Sequence, residues 1–100
     1  MNTLQEKLLV YRLQTHKDTE AFAELYDLYI KRIYRFVFFK VGTHEDAEDI
    51  VSETFLRTWN VISEGGELKS FSGLLYRVAR NLIVDWYRAR AVHPETILSE

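Results

Sequence analysis

Apolar residues recur at intervals of three and four over almost the whole chain, and no run of alternating polar and apolar residues is long enough for a strand. This spacing places apolar side chains along one face of a helix. The clearest case is the segment 71–90, in which arginines and aromatic residues occupy the face that apolar packing leaves free. The pattern predicts an all-α fold, a compact bundle of four helices.

Local signals set the limits of the four predicted helices. The first covers about Leu4 to Thr15. Asp18 can cap the second helix because its carboxylate accepts a free amide of the first turn. Gly42 can end that helix by adopting the left-handed conformation, and Thr43 can cap the third. Ser70 can cap the fourth helix, and the short connection at Gly42 makes the second and third helices antiparallel neighbours.

The apolar positions of each helix predict its buried face. The predicted inner residues are Leu4, Leu8, Leu9 and Leu13 on the first helix; Phe22, Leu25, Tyr26, Tyr29, Ile33, Phe36 and Val37 on the second; Ala47, Ile50, Val51, Phe55, Trp59 and Ile62 on the third; and Leu75, Val78, Ala79, Leu82 and Trp86 on the fourth.

The size of the chain favours a single domain. One hundred residues fit one domain, which we expect to cover residues 1–92. Pro94 marks the end of the fourth helix or lies just beyond it, and residues 93–100 are expected to begin an interdomain linker or a disordered tail. The chain has no cysteine, which excludes a disulfide framework and suits a reducing cytoplasm. No signal peptide and no apolar run of membrane-spanning length is present.

Charge is distributed unevenly along the chain, whose net charge is −2. The segment from Glu45 to Glu67 holds seven acidic residues and one basic residue, Arg57. The segment from Lys69 to Arg90 holds five basic residues and one acidic residue. Two solvated helix faces would explain this layout, and so would an adaptor that joins a protein to a nucleic acid. The negative net charge argues against tight autonomous DNA binding, because nonspecific affinity scales with the phosphates that lysine and arginine neutralise.

Enzymatic chemistry is not indicated by the sequence. The run 44–48 begins like a zinc-peptidase helix, but Glu48 stands where the second histidine would be required. No phosphate-binding glycine loop or nucleophile elbow is present. Asp46 and Asp49 could in principle bind a metal, although a solvated helix face is the simpler interpretation. We therefore expect no catalytic residue, no metal site, no cofactor and no enzymatic activity.

Three segments resemble a known family. The run 46–59 (DAEDIVSETFLRTW) is similar to region 2.2 of bacterial RNA polymerase sigma factors of the extracytoplasmic-function (ECF) group. The run 71–90 resembles regions 2.3 and 2.4 of the same group, and the run 21–26 (AFAELY) resembles the start of region 2.1. The three segments follow in the family's order and spacing, and together the resemblance covers about residues 5–91.

The resemblance implies a sigma factor region 2 domain with two partners. Such a domain binds the clamp-helix coiled coil of the polymerase β′ subunit, recognises the promoter −10 element and helps to open the duplex. Residues on the acidic third helix would contact the polymerase: Asp46, Asp49, Ser52 and Glu53. Residues of the fourth helix and the loop before it would contact the nontemplate single strand: Lys69, Tyr76, Arg77, Arg80, Asn81 and Arg88.

The DNA-binding residues have different expected roles. Arg77, Arg80 and Arg88 would contact phosphates, while aromatic rings stack on unpaired bases. Asn81 occupies the position at which the family has a polar residue in the pocket for an extruded base. Its amide suits this role because it can both donate hydrogen bonds to a base edge and accept them from it. The family also implies a bacterial cytoplasmic location and an anti-sigma factor as a partner.

Three departures from the family pattern keep an alternative open. Ser52 replaces the usual glutamine, Leu74 replaces the usual tryptophan, and the loop 65–69 lacks the usual aromatic residue followed by arginine and glycine. A helical interaction module of the same fold, which binds polymerase or an anti-sigma factor without reading DNA, would explain these departures. The residues after Pro94 could not form the family's usual second domain for the −35 element. The sequence is therefore either a fragment or a single-domain relative, and we expect the fragment.

Overall fold

The computed structural model describes residues 3–65 and 68–92, and these residues form four helices joined by short connections. The helices are α1 (Thr3–His16), α2 (Thr19–Val41), α3 (His44–Ser63) and α4 (Phe71–Val92). They pack into one all-α bundle, which confirms the predicted fold class. The predicted end at Pro94 and the predicted linker 93–100 lie outside the described residues.

The predicted caps form the expected hydrogen bonds. The Asp18 carboxylate accepts hydrogen bonds from the amides at positions 20 and 21. Gly42 adopts φ +84° and donates its amide to the carbonyl of Phe38. The Thr43 hydroxyl accepts a hydrogen bond from the Asp46 amide, and the Ser70 hydroxyl accepts one from the amide at position 73. These four residues limit α2, α3 and α4, because the first and last turns of a helix leave backbone groups that need partners from outside the helix.

Aromatic contacts define the relative directions of the helices. Phe22 near the start of α2 packs on Trp59 near the end of α3, with ring centroids 5.1 Å apart. Phe38 near the end of α2 stacks on His44 at the start of α3 at 4.7 Å. The start of α2 thus lies against the end of α3, and the end of α2 lies against the start of α3. The two helices are therefore antiparallel, as predicted.

The fourth helix runs parallel to the second. Phe36 meets Tyr76 edge to face with centroids 5.2 Å apart, and the Tyr87 hydroxyl donates to the carbonyl of Lys40. From the first contact to the second, the residue numbers rise along both helices, so α2 and α4 run in the same direction. This arrangement is possible because α3 connects the two helices and returns the chain to the start of α2. This parallel pairing places Tyr76 and Tyr87 of α4 against the second half of α2.

The buried core differs in part from the predicted one. Leu4 and Leu8 are exposed, and Tyr26 is 39% exposed, so these three core predictions are wrong. Apolar spacing alone does not reveal which half of a wide stripe a neighbouring helix covers. On α4, the predicted inner residues Leu75 and Ala79 are fully buried. The other predicted inner residues of this helix are only half-buried: Val78, Leu82 and Trp86. Three further residues of α4 are buried but were not predicted: Phe71, Leu74 and Ile83.

Two buried threonines on α3 also escaped prediction. Thr54 and Thr58 are fully buried among apolar neighbours. Their hydroxyls donate to the carbonyls of Ile50 and Thr54, each at 2.7 Å. Because the carbonyl one turn earlier accepts the hydroxyl proton, the polar group is satisfied without a partner from another helix.

Helix α1 is attached to α2 by polar contacts as well as by Leu9 and Leu13. The Arg12 guanidinium donates from Nε and Nη2 to the Asp18 carboxylate, at 3.0 and 2.8 Å. This hydrogen bond, with those from the backbone amides, holds the pKa of Asp18 below its ordinary value. The Tyr29 hydroxyl donates to Glu6, and burial, aided by that carboxylate, raises the pKa of Tyr29 to about 12. No helix among the described residues is long and apolar enough to cross a membrane.

Candidate functional site

The exposed face of α3 carries the acidic residues expected to contact the polymerase. Asp49 and Ser52 are exposed, and Glu53 is half-buried. Asp49 and Glu53 lie one turn apart on the same side of the helix. Glu53 accepts a hydrogen bond from Arg57 Nε at 2.8 Å. This i, i+4 pair is largely exposed, so it is weak and leaves the carboxylate available to another cation.

Asp46 lies in a different environment from the other two acids. Its carboxylate accepts a hydrogen bond from the Thr43 hydroxyl at 2.8 Å and lies 3.1 Å from Nη2 of Arg90. The Arg90 guanidinium also lies 4.0 Å from the centre of the Trp86 ring. These contacts join the start of α3 to the end of α4. Arg90 was counted among the five bases of the segment from Lys69 to Arg90, and its pair with Asp46 was not predicted, because nothing local relates positions 44 residues apart.

An apolar hollow borders the acidic face of α3. Its volume is about 350 Å³, and it lies between the first turns of α2 and the second half of α3. Leu56 is 55% exposed, lies one turn after Ser52 and Glu53, and lines the hollow. The acidic face therefore adjoins the hollow at Leu56. The residues that line this hollow are Thr19, Phe22, Tyr26, Phe55, Leu56 and Trp59.

The outer face of α4 carries the predicted basic residues. Arg77, Arg80, Asn81 and Arg88 are all exposed. Within residues 3–65 and 68–92, none of these three arginines lies within ion-pair distance of a carboxylate. Tyr76 is half-buried against Phe36, so only part of its ring is open to a ligand. This face therefore offers cations that no carboxylate in the described part of the chain neutralises.

A second hollow, of about 470 Å³, lies where α3 ends and α4 begins. It brings Lys69 and Arg77 together, with apolar walls from α3 and α4. Its lining residues are Val61, Leu68, Lys69, Ser70, Gly73, Leu74 and Arg77. A Cβ atom at Gly73 would come within 3.3 Å of the Ser70 side chain. Because glycine has no Cβ atom, the backbone of α4 can lie close to the Ser70 cap at the wall of the hollow.

The second hollow differs from the predicted base pocket in two respects. Asn81, the predicted pocket amide, is not among the described lining residues, since it lies one helical turn beyond Arg77. Leu74, at the position where the family usually has tryptophan, is only 6% exposed and belongs to the core. The substitution at Leu74 therefore mainly affects packing beneath the hollow. The loop residues 66–67 lie outside the described residues.

The structure adds basic residues that the sequence analysis did not select. Lys31, Arg32, Arg35 and Lys40 are exposed on the second half of α2, the half that contacts α4 through Phe36. The signal was present in the sequence, since positions 28–44 contain four lysines and arginines and no acidic residue. It was missed because the parallel packing of α2 on α4 is a tertiary feature. No group of three His, Cys, Asp or Glu side chains within the described part of the chain could hold a metal ion.

Comparison with known families agrees with this all-α bundle. The family model for sigma-70 region 2 matches residues 25–92. The chain therefore belongs to the sigma-70 region 2 family.

Comparison with curated proteins gives the group within this family. The chain is 36% identical over 93 residues to the ECF RNA polymerase sigma factor BldN of Streptomyces coelicolor, a match that covers 92% of this chain and 35% of that protein. It is 37% identical over 73 residues to the ECF RNA polymerase sigma factor SigW of Bacillus subtilis, covering 73% of this chain and 39% of that protein. The chain is thus a region 2 domain of the ECF sigma factor group, and it spans less than half the length of these relatives. No solved structure gave a significant match.

Proposed function

We propose that this chain acts in transcription initiation as domain 2 of an ECF sigma factor, with residues 1–92 as one unit. It binds the clamp helices of the β′ subunit through α3 and the promoter −10 element through α4. The observation that carries the proposal is the separation of charge in the bundle. Exposed acids occupy α3, whereas the outer face of α4 carries arginines that have no carboxylate partner among residues 3–65 and 68–92.

The polymerase contact uses Asp49, Ser52 and Glu53, with Asp46 at the edge. A basic helix of the clamp would place its lysines or arginines against Asp49 and Glu53, which lie one turn apart. The adjoining apolar hollow would receive an apolar side chain from the same helix. Such a combination of charge and apolar area gives both orientation and affinity, since exposed ion pairs alone contribute little.

The DNA contact uses the outer face of α4 and the hollow at its start. Separated strands present unstacked bases and a flexible phosphate backbone. Arg77, Arg80 and Arg88 would contact phosphates of the nontemplate strand, and Tyr76 would present a ring edge. Lys69 and Arg77 would bind a base or its phosphate at the hollow, while Asn81 would contact the same strand one turn further along.

The relatives support this assignment, since BldN and SigW are both ECF RNA polymerase sigma factors. By analogy the chain acts as a transcription factor without enzymatic activity, in the bacterial cytoplasm. An anti-sigma factor that covers the acidic face of α3 would be its natural inhibitor, because it would compete with the clamp helices for the same carboxylates.

Fluorescence anisotropy tests the proposal with two partners. A labelled single-stranded oligonucleotide carrying a nontemplate −10 element is titrated with the chain, alone and with the purified β′ coiled coil. We expect binding to the coiled coil and stronger binding to the oligonucleotide when the coiled coil is present. Absence of binding to both partners would contradict the proposal. Binding to the coiled coil without any DNA binding would favour the interaction module that does not read DNA.

A further inference from the structure

The second half of α2 carries basic residues that the proposed DNA contact does not use. Between Asp27 and Glu45 the chain has four basic residues and no acidic residue. All four, Lys31, Arg32, Arg35 and Lys40, have exposed side chains. Among the described residues, none of them lies within ion-pair distance of a carboxylate, whereas Arg12, Arg57 and Arg90 each do.

The spacing of these residues forms a stripe that faces α4. Arg32, Phe36 and Lys40 follow one another at intervals of four, so they lie on one side of α2. Phe36 at the centre of this stripe contacts Tyr76 of α4, with ring centroids 5.2 Å apart. Arg32 and Lys40 therefore flank the line along which α2 meets α4. Lys31 and Arg35, also four residues apart, form a second row further from α4.

Aromatic neighbours hold two of these cations. The Arg32 guanidinium lies 5.8 Å from the centre of the Tyr29 ring, and Lys40 Nζ lies 5.4 Å from the centre of the Phe36 ring. Contacts of this kind restrict a long side chain without neutralising its charge. On the other side of the junction, Arg80 follows Tyr76 by one turn of α4. Cations of both helices thus border one junction.

We propose that Arg32, Arg35 and Lys40 form a second phosphate-binding surface on α2, which extends the DNA footprint of α4 across the Phe36–Tyr76 contact. The proposed ligand is the sugar–phosphate backbone of promoter DNA, and the inference rests on the proposed function. It also explains how a chain of net charge −2 can bind DNA: the acidic residues of α2 lie in its first half, whereas its second half and the outer face of α4 carry exposed basic residues. Either the separated nontemplate strand or the adjoining duplex could supply these phosphates.

The test measures DNA affinity as a function of salt for matched variants of the full chain. Arg35→Ala removes one cation that has no carboxylate partner among the described residues. Loss of one phosphate contact lowers the slope of log affinity against log salt by about 0.7 for a single strand, which corresponds to about fivefold weaker binding at about 0.1 M salt. Arg35→Lys keeps the charge and should bind nearly as well as the parent. Arg32→Ala combined with Arg35→Ala should lower the slope by about twice as much.

Lys17→Ala provides the matched control. It makes the same change in net charge in the connection between α1 and α2, which the rise of about 1.5 Å per residue places roughly 24 Å from Arg35 along α2. We expect its affinity and salt slope to stay close to those of the parent. Circular dichroism establishes that each variant retains its helical content.

Two DNA probes and one positive control separate the outcomes. If Arg35→Ala loses more affinity for a labelled single strand than for a duplex, the α2 surface binds the separated strand. The opposite result assigns this surface to the duplex. If Arg80→Ala weakens binding while Arg35→Ala behaves like Lys17→Ala on both probes, the α2 surface is wrong and the proposed function stands. If Arg35→Ala weakens only binding to the β′ coiled coil, α2 contacts protein and the inference is wrong. If the parent chain binds no DNA, even with the coiled coil, the proposed DNA contact is wrong, and the α2 surface that rests on it is wrong with it.

Discussion

The guanidinium of Arg90 lies 3.1 Å from the carboxylate of Asp46 and joins the last turn of α4 to the first turn of α3. Asp46 lies at the edge of the surface proposed to bind the polymerase, and Arg90 belongs to the helix proposed to bind DNA. The carboxylate also accepts the Thr43 hydroxyl that belongs to the cap of α3. The pair therefore holds the acidic and basic helices at a defined angle, close to the edge of the acidic face.

We expect Arg90→Ala to lower the free energy of unfolding by about 1 kcal/mol, because a half-exposed ion pair and its contact with Trp86 are both lost. Urea unfolding monitored by circular dichroism measures this change. Asp46→Asn should cost less in the Arg90→Ala background than in the parent, since the two side chains interact. Asp49→Asn is the control, because Asp49 has no ion pair among the described residues. Equal costs for Asp46→Asn in both backgrounds would show that the two residues are not coupled.

Glu53→Lys should weaken binding to the β′ coiled coil by tenfold or more, since it places a cation where the proposed contact requires an anion. The fold should remain intact, because only the exposed pair with Arg57 is lost. Isothermal titration calorimetry measures the affinity. Asp85→Lys on the exposed face of α4 makes the same change in charge and should bind the coiled coil like the parent. Unchanged affinity of Glu53→Lys would remove α3 from the proposed interface.

The hollow at the start of α4 predicts an order among DNA-binding variants. Lys69→Ala and Arg77→Ala should weaken oligonucleotide binding more than Asn81→Ala, because Lys69 and Arg77 line the same hollow whereas Asn81 is not among its described lining residues. Competition anisotropy with a single oligonucleotide, in the presence of the coiled coil, gives the three affinities under one condition. A larger loss of affinity for Asn81→Ala than for the other two variants would instead place the base pocket at Asn81, as the family resemblance implies.

The Arg12–Asp18 pair predicts a dependence of stability on pH. The Arg12 hydrogen bond and the backbone amides hold the pKa of Asp18 below its ordinary value of 3.8. The folded state therefore binds this proton less readily than the unfolded state. The resulting stabilisation is fully present above pH 3.8 and is lost as the pH falls through the lower pKa of the folded state.

Thermal unfolding between about pH 2 and pH 7 measures this effect. Asp18→Asn keeps a capping side chain but loses the charge, so we expect it to be less stable than the parent at neutral pH and to lose less stability on acidification. Glu64→Gln, at an exposed carboxylate beyond α3, should follow the parent curve. An Asp18→Asn curve parallel to that of the parent would show that Asp18 does not contribute to acid sensitivity.

The helices and their ends could be predicted from the sequence because their causes are local. Asp18, Gly42 and Thr43 act through backbone groups no more than four residues away. The burial of individual side chains was less predictable. Tyr26 and Leu8 have the spacing of core residues yet are exposed, while Leu74 is buried at a position expected near DNA.

The sequence by itself determined the four helices, the two oppositely charged segments and the family resemblance, since each depends on residue type and short-range spacing. Only the tertiary structure decided which charges face each other and which remain available. It paired Asp46 with Arg90 across 44 positions, and it placed α2 parallel to α4, with Phe36 against Tyr76 and Arg32 and Lys40 flanking that contact. The physical reason is that long-range packing follows from how several apolar faces fit together at once, and no single stretch of sequence contains that information.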